Sequence, residues 1–172
     1  MIVLGIDQGL ANVGYAVIDY DSADSFSILK SGAIRTKAKD DLSKRMNDIF
    51  SEIDKIIEIY DISHMGCEKF FFNKSDKTLE FRSSTIVKTN MVTGLLFLLA
   101  HKHSISIKEF VPGTIKKHVT GNGRASKEAM IYEINSLCKG QGFQKEIKND
   151  HEADAIGIGL KVGHDAKKTK ED

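Results

Sequence analysis

A short apolar run, Ile2-Val3-Leu4-Gly5-Ile6, stops at a single carboxylate, Asp7, and is followed by Gln8-Gly9. Apolar residues without alternation suit a strand covered on both faces, the centre of a sheet. An ionised group is costly to bury there unless it is paired or bound to a metal. Asp7 therefore reaches water at the strand end or holds a cation. Two rival readings of Asp7 with Gly9 are a plain turn and a contact to ATP phosphate in an actin-like or sugar-kinase fold.

The 172 residues suit one domain with a sizeable core. Hydrophobic residues make up 41% and charged residues 28%, as in ordinary soluble proteins. The opening apolar stretch is broken by Asp7, which argues against a signal peptide. The longest uncharged apolar-leaning run, Thr89 to Ala100, is too short to span a bilayer. Cys67 and Cys138 lack metal-ligand spacing and read as reduced thiols. These features predict a cytoplasmic protein with no membrane association. The formal net charge of +1 neither demands nor forbids nucleic acid, because an acidic metal site can cancel a basic rim.

Gly14 to Asp19 reads as a second strand antiparallel to the first, and Phe26 to Arg35 as a third. From Leu42 to Tyr60 the apolar period becomes helical, with Asp40 or Asp41 as cap. Ile62 to Glu68 is again short and apolar and ends in a carboxylate. Strand, helix, strand is a crossover, so this strand should run parallel to the first. Phe70 to Lys77 reads as a loop. Leu79 to Ala100 predicts a long helix whose later half, Val92 to Leu99, is apolar on nearly all sides. Such a helix is either central or shared with a second subunit. A fifth strand over Ser104 to Val111, a short segment from Pro112 to His118, a helix over Ser126 to Cys138 and a last helix over Asp150 to Gly163 complete the pattern. The expectation is an α/β domain over 1–164, with a five-stranded mixed sheet and helices on both faces. The sheet combines a three-strand antiparallel meander with two parallel strands. Residues 165–172 read as a charged, frayed tail.

Asp7 and Glu68 end two strands that should be neighbours, about 4.8 Å apart. The last helix adds His151 and Asp154 on one face, with Asp150 as a rival for the fourth position. Carboxylates with a histidine suit Mg²⁺ or Mn²⁺, and two such ions can drive phosphodiester cleavage. Taken alone, Glu68 also reads as a surface residue and Asp150 as a helix cap. Asp154 is harder to dismiss, because it sits among Ala153, Ala155 and Ile156. Phe70, Phe71 and Phe72, flanked by Lys69, Asn73, Lys74 and Lys77, read as core or as a base-stacking wedge. Lys116, Lys117, Arg124 and Lys127 form a basic group around Gly121-Asn122-Gly123, which reads as a phosphate contact or a solvated helix start.

Together these stretches resemble the RuvC family of Holliday junction resolvases. The resemblance rests on Leu4-Gly5-Ile6-Asp7-Gln8-Gly9 with Gly14-Tyr15, Ser31 to Lys37, Glu68 with Phe71, Val119 to Lys127, and Ala153-Asp154-Ala155-Ile156, all in the family's order. It implies an RNase H-like fold and a homodimer with contacts around Val92 to Leu99. It further implies paired, Mg²⁺-dependent nicking of a four-way DNA junction. By position Asp7, Glu68 and Asp154 match the family's metal-binding acids, Phe71 a junction-contacting aromatic, and Lys116 and Lys127 basic residues near the scissile phosphate. Two departures stand out. Gln8 replaces the usual proline, a mild change at a turn. His151 replaces the usual fourth acid and, to be a ligand or a base, needs a neutral imidazole. The departures suit a divergent branch, such as a phage-encoded one. The alternatives are a less specific branched-DNA nuclease and a catalytically weak junction-binding protein.

Overall fold

A computed structural model describes residues 1–69 and 79–171 of the chain. Five strands, β1 (Ile2–Asp7), β2 (Asn12–Ser22), β3 (Ser25–Arg35), β4 (His64–Glu68) and β5 (Ser106–Phe110), form one sheet in the order β3-β2-β1-β4-β5. β1, β2 and β3 are a meander of antiparallel pairs, and β4 and β5 add in parallel. Five helices, α1 (Leu42–Tyr60), α2 (Leu79–Lys102), α3 (Pro112–Thr120), α4 (Lys127–Gly140) and α5 (Asp150–Glu171), cover it.

Strand alternation divides the core. Leu4 and Ile6 of β1, with Met65 and Cys67 of β4, pack against α1 and α2 through Ile49, Ile53, Val92, Leu96 and Leu99. Val3, on the opposite face, packs with Ile115, Met130, Ile134, Ile156 and Ile158 of α3, α4 and α5. Helices on both faces thus follow from a central strand that is apolar on both sides.

Asp7 has the parity of Val3 and Gly5, so it points towards α5. On β4, Gly66 faces Ile158 and Val162 of α5, and Glu68, two residues on, shares that face. The parallel register pairs Gly5 with Gly66 and Ile6 with Cys67, which brings the two strand-end acids level. Two glycines let α5 lie against the sheet. A Cβ on Gly5 would stand 2.0 Å from the Ala155 carbonyl oxygen, and one on Gly14 would stand 1.9 Å from that of His151.

The glycine turn closes α3, with Gly121 at φ 75° donating to the Lys117 carbonyl, and α4 is opened by Ser126, whose side chain accepts from the Ala129 N–H. Two local expectations are corrected. Asp41 precedes α1, but its side chain makes no cap hydrogen bond. Asp40 instead meets Lys44 at 3.6 Å. The expected frayed tail is helical: α5 runs on to Glu171. The reason is charge pairing. Asp165 accepts from Lys108 of β5 at 2.7 Å and from Lys161 one turn earlier, and Lys167 reaches Asp21 at 3.0 Å.

Candidate active site

The site lies where β1 and β4 run out beneath the first turns of α5. His151 Nδ1 is 2.6 Å from Asp7 Oδ2, and Asp7 is only 8% exposed. Asp154 lies one turn further along α5. Burial, then the charges of Asp7 and Asp154, push the Glu68 carboxyl up to about 8. Burial, then Asp7 and Asp150, push Asp154 up to about 6. Three carboxyl groups therefore share one electrostatic neighbourhood, and two of them hold protons past the ordinary carboxylate range. A divalent cation removes that repulsion, so hard oxygen donors with one imidazole fit such an ion.

His151 is held above its ordinary pKa, first by its hydrogen bond to Asp7. The contact with Asp7 thus favours the protonated ring, whereas a ligand or base must be neutral. Asp150, the rival, has both oxygens engaged by other partners. Its Oδ1 accepts the His151 N–H at 3.1 Å, its other oxygen takes Lys127, and that lysine holds its carboxyl low.

The basic residues divide. Lys116 of α3 donates to the Ala125 carbonyl at 2.7 Å, and its charge lowers both Glu68 and Asp154. Lys127 opens α4, pairs with Asp150 and feels Asp154 and Asp7. Lys117 and Arg124 are exposed on the same helix and turn, and the Arg124 N–H donates to Asn122 Oδ1 at 3.0 Å. Lys69 is exposed beside Glu68, with its N–H on the Phe110 carbonyl at 2.8 Å. Phe71 and Lys74 lie outside the described residues.

Supporting residues escaped the sequence reading. Arg45 of α1 and Thr36 both reach the Leu10 carbonyl, at 3.2 and 2.5 Å, and latch the turn after Asp7. Glu152 is buried, accepts from Ser31 at 2.6 Å and pairs with Lys145. The Gln8 amide bonds both the N–H and the carbonyl of Glu68. The available signals were weak: an amide directly after a strand-end acid, and an acid inside an otherwise small-residue helix.

A different group was not anticipated. Single donor atoms of Asp54, Glu58 and His103 lie within 4.8 Å of one another, a spacing that no three of the four predicted ligands share among the described residues. Asp54 there is already matched by Lys102 at 2.6 Å and His103 at 2.5 Å, which hold its carboxyl low. That arrangement is an ion-paired junction between α1 and α2.

A meander extended by parallel strands, with acids at two adjoining strand ends and on a helix crossing them, defines the RNase H-like class. Within that class the chain belongs to the RuvC family: the model of the crossover junction endodeoxyribonuclease RuvC matches residues 3–163. The chain is 35% identical over 158 residues to the crossover junction endodeoxyribonuclease RuvC of Rickettsia conorii, covering 92% of this chain and 94% of that one. The crossover junction endodeoxyribonuclease RuvC of Wolbachia sp. subsp. Brugia malayi is 30% identical over 158 residues, covering 92% of this chain and 91% of that one. In fold, the chain superimposes on Thermus thermophilus RuvC in complex with a Holliday junction substrate with TM-score 0.84 at 20% identity, covering 98% and 96%. It matches the yeast mitochondrial Holliday junction resolvase with TM-score 0.69 at 16% identity, covering 98% and 80%.

Proposed function

We propose that the chain is a dimeric, structure-selective endonuclease that resolves four-way DNA junctions in the cytoplasm by paired nicking, using Mg²⁺ or Mn²⁺ at two sites per protomer. The observation that carries this reading is the shared neighbourhood of Asp7, Glu68 and Asp154, flanked by Lys116 and Lys127. Asp7 and Glu68 would hold one ion, and Asp154 with His151 the other. When bound, such ions lower the pKa of an attacking water and offset charge on the leaving oxygen. The protein's own groups do the remainder. Lys116 and Lys127 neutralise phosphates near the acids, helped by Lys69, Lys117 and Arg124 at the rim and by Lys74. His151 holds a proton between Nδ1 and Asp7 Oδ2 and must release it to become a ligand or base. Phe71 opens or holds the crossover by stacking.

The second copy belongs on α2. Val87, Met91, Gly94 and Leu98 follow helical spacing along one stripe. Val87 is 51%, Met91 42% and Leu98 56% exposed, Phe97 is exposed beside them, and nothing stands within 4 Å of a Cβ built on Gly94. The opposite stripe, Val92, Leu96 and Leu99, is fully buried in the protomer. A helix that is apolar on both sides of a one-chain core suits a self-complementary contact. Among the described residues no helix is long and apolar enough to cross a membrane.

The deciding experiment is cleavage of a synthetic four-way junction in Mg²⁺ and in Mn²⁺, beside duplex, fork and flap substrates. Symmetric paired nicks confined to the junction are expected. Equal cutting of forks and flaps would mark a less specific nuclease. One observation favours a weaker enzyme: the hydrogen bond of His151 to Asp7 competes with metal for both groups. Junction binding without cleavage in either metal would establish that reading.

A further inference from the structure

We propose that Gln8 is a positioning residue, a side-chain clamp that fixes the Glu68 main chain at the end of the sheet and ties it to helix α2. The proposal rests on the reading of Glu68 as a metal ligand and deepens it.

The β1–β4 ladder ends with Ile6 beside Cys67, one residue short of the two strand-end acids. On its far side the end of β4 stays fixed by β5, where Glu68 pairs with Phe110 and the Lys69 N–H donates to the Phe110 carbonyl at 2.8 Å. On the β1 side the strand pairing stops before Glu68. The Gln8 side chain takes over there. Its Oε1 accepts the Glu68 N–H at 3.0 Å, and its Nε2 donates to the Glu68 carbonyl at 2.5 Å. A primary amide offers a donor and an acceptor as a peptide unit does, so Gln8 extends the ladder where the backbone has turned away. Gln8 is only 3% exposed, so both bonds are shielded from competing water.

The same Nε2 donates to Thr93 Oγ1 at 3.2 Å, and that hydroxyl bonds the Thr89 carbonyl one turn back at 3.3 Å. Thr89 and Thr93 are buried on the sheet-facing side of α2, whose other side carries Met91, Gly94 and Leu98. One amide therefore joins a candidate ligand to the helix on which the second copy is expected. Loss of an outer partner that orients a ligand weakens metal affinity by about 10- to 100-fold.

The test compares Gln8→Ala, Thr93→Val and Thr93→Ser with the parent full-length chain. Hydrogen exchange of the Glu68 amide and calorimetric titration of Mn²⁺ into metal-free protein are read without DNA. The Mg²⁺ dependence of junction nicking is read separately. Gln8→Ala should speed Glu68 amide exchange and weaken Mn²⁺ binding by about tenfold or more. It should raise the Mg²⁺ midpoint of nicking, with the rate recovering at saturating metal. Thr93→Val should move the same quantities in the same direction, and Thr93→Ser, which keeps the hydroxyl, should restore them. A folded Gln8→Ala protein with parental amide exchange and parental Mn²⁺ affinity overturns the proposal. If Gln8→Ala does not fold, the Thr93 pair decides, and equal Mn²⁺ affinity for Val and Ser overturns it. A parent chain that nicks no junction while its Mn²⁺ affinity still follows Gln8 would remove the nuclease reading and leave the clamp standing.

Discussion

His151 and Asp7, 144 residues apart in sequence, meet through a 2.6 Å contact between Nδ1 and Oδ2. That contact favours the protonated imidazole, and burial holds the Glu68 carboxyl up at about 8, so a cation bound by these groups must displace protons. Mn²⁺ binding at about pH 7 should therefore release roughly one proton or more per protomer. Calorimetry in buffers of different ionisation enthalpy measures this number, and a value of zero would remove Glu68 and His151 from the donor set.

The same groups set a pH dependence of stability without metal. Glu68 and His151 have native pKa values above their unfolded ones. The native state then binds more protons than the unfolded chain, so stability falls as pH rises through the native values. His118, lowered to about 4 by burial, acts in the opposite direction, and that opposition fades only above about pH 7.5, where the unfolded imidazole is also neutral. The lowered Asp165, at about 2, loses its contribution only in acid. From about pH 6.5 to about pH 8 the metal-free melting temperature should fall. Glu68→Gln should flatten that slope, which thermal melts across the range would show.

Asp154→Asn keeps the size of the side chain and removes the charge that joins Asp7 and Glu68. Nicking of a four-way junction should drop to background while junction affinity is retained or rises, because a negative charge near phosphate is gone. Gel-shift and cleavage assays on the same preparation separate the two effects. Normal cleavage in Mg²⁺ would end the metal-site reading.

Leu98→Asp places a charge in the exposed stripe of α2, where Leu98 is 56% exposed and lies outside the core clusters of the described residues. The monomer fold should persist and the dimer should be lost, with paired nicking reduced to single nicks. Light scattering after size exclusion reports the mass. An unchanged dimer would move the interface off α2.

Gly14→Val would drive a Cβ into the His151 carbonyl oxygen, with a contact of 1.9 Å before relaxation. The helix bearing His151 and Asp154 must then lift from β2. The cost should be about 3 kcal/mol, the upper end for overpacked cores, and cleavage should fall with it. Chemical denaturation gives the first quantity. A stable, active variant would show that α5 tolerates displacement.

Elements that repeat a period were legible from residue order. The switch from the continuous apolar run of β1 to the helical spacing of Leu42 to Tyr60 announced the crossover, and the crossover placed Glu68 beside Asp7. Contacts to main-chain atoms far along the chain were not legible. Gln8 read as a mild turn substitution because its partners, the Glu68 N–H and carbonyl, carry no side-chain signature. The end of α5 read as frayed because charged residues after His164 resemble solvated sequence, and only the fold brings Lys108 to Asp165. The pairing of His151 with Asp7 was equally hidden, since either histidine nitrogen could have served an ion.

The unbroken α5 carries a practical corollary. Its 22 residues span about 33 Å, from Asp150 beside the acids to a far end pinned by Lys108 on the edge strand. A fluorophore on the later turns of α5, beyond the Lys108–Asp165 tie, would therefore sit about five turns from His151 and Asp154 on the same helix, so that any rocking of the helix under the acids is read at a distance from them.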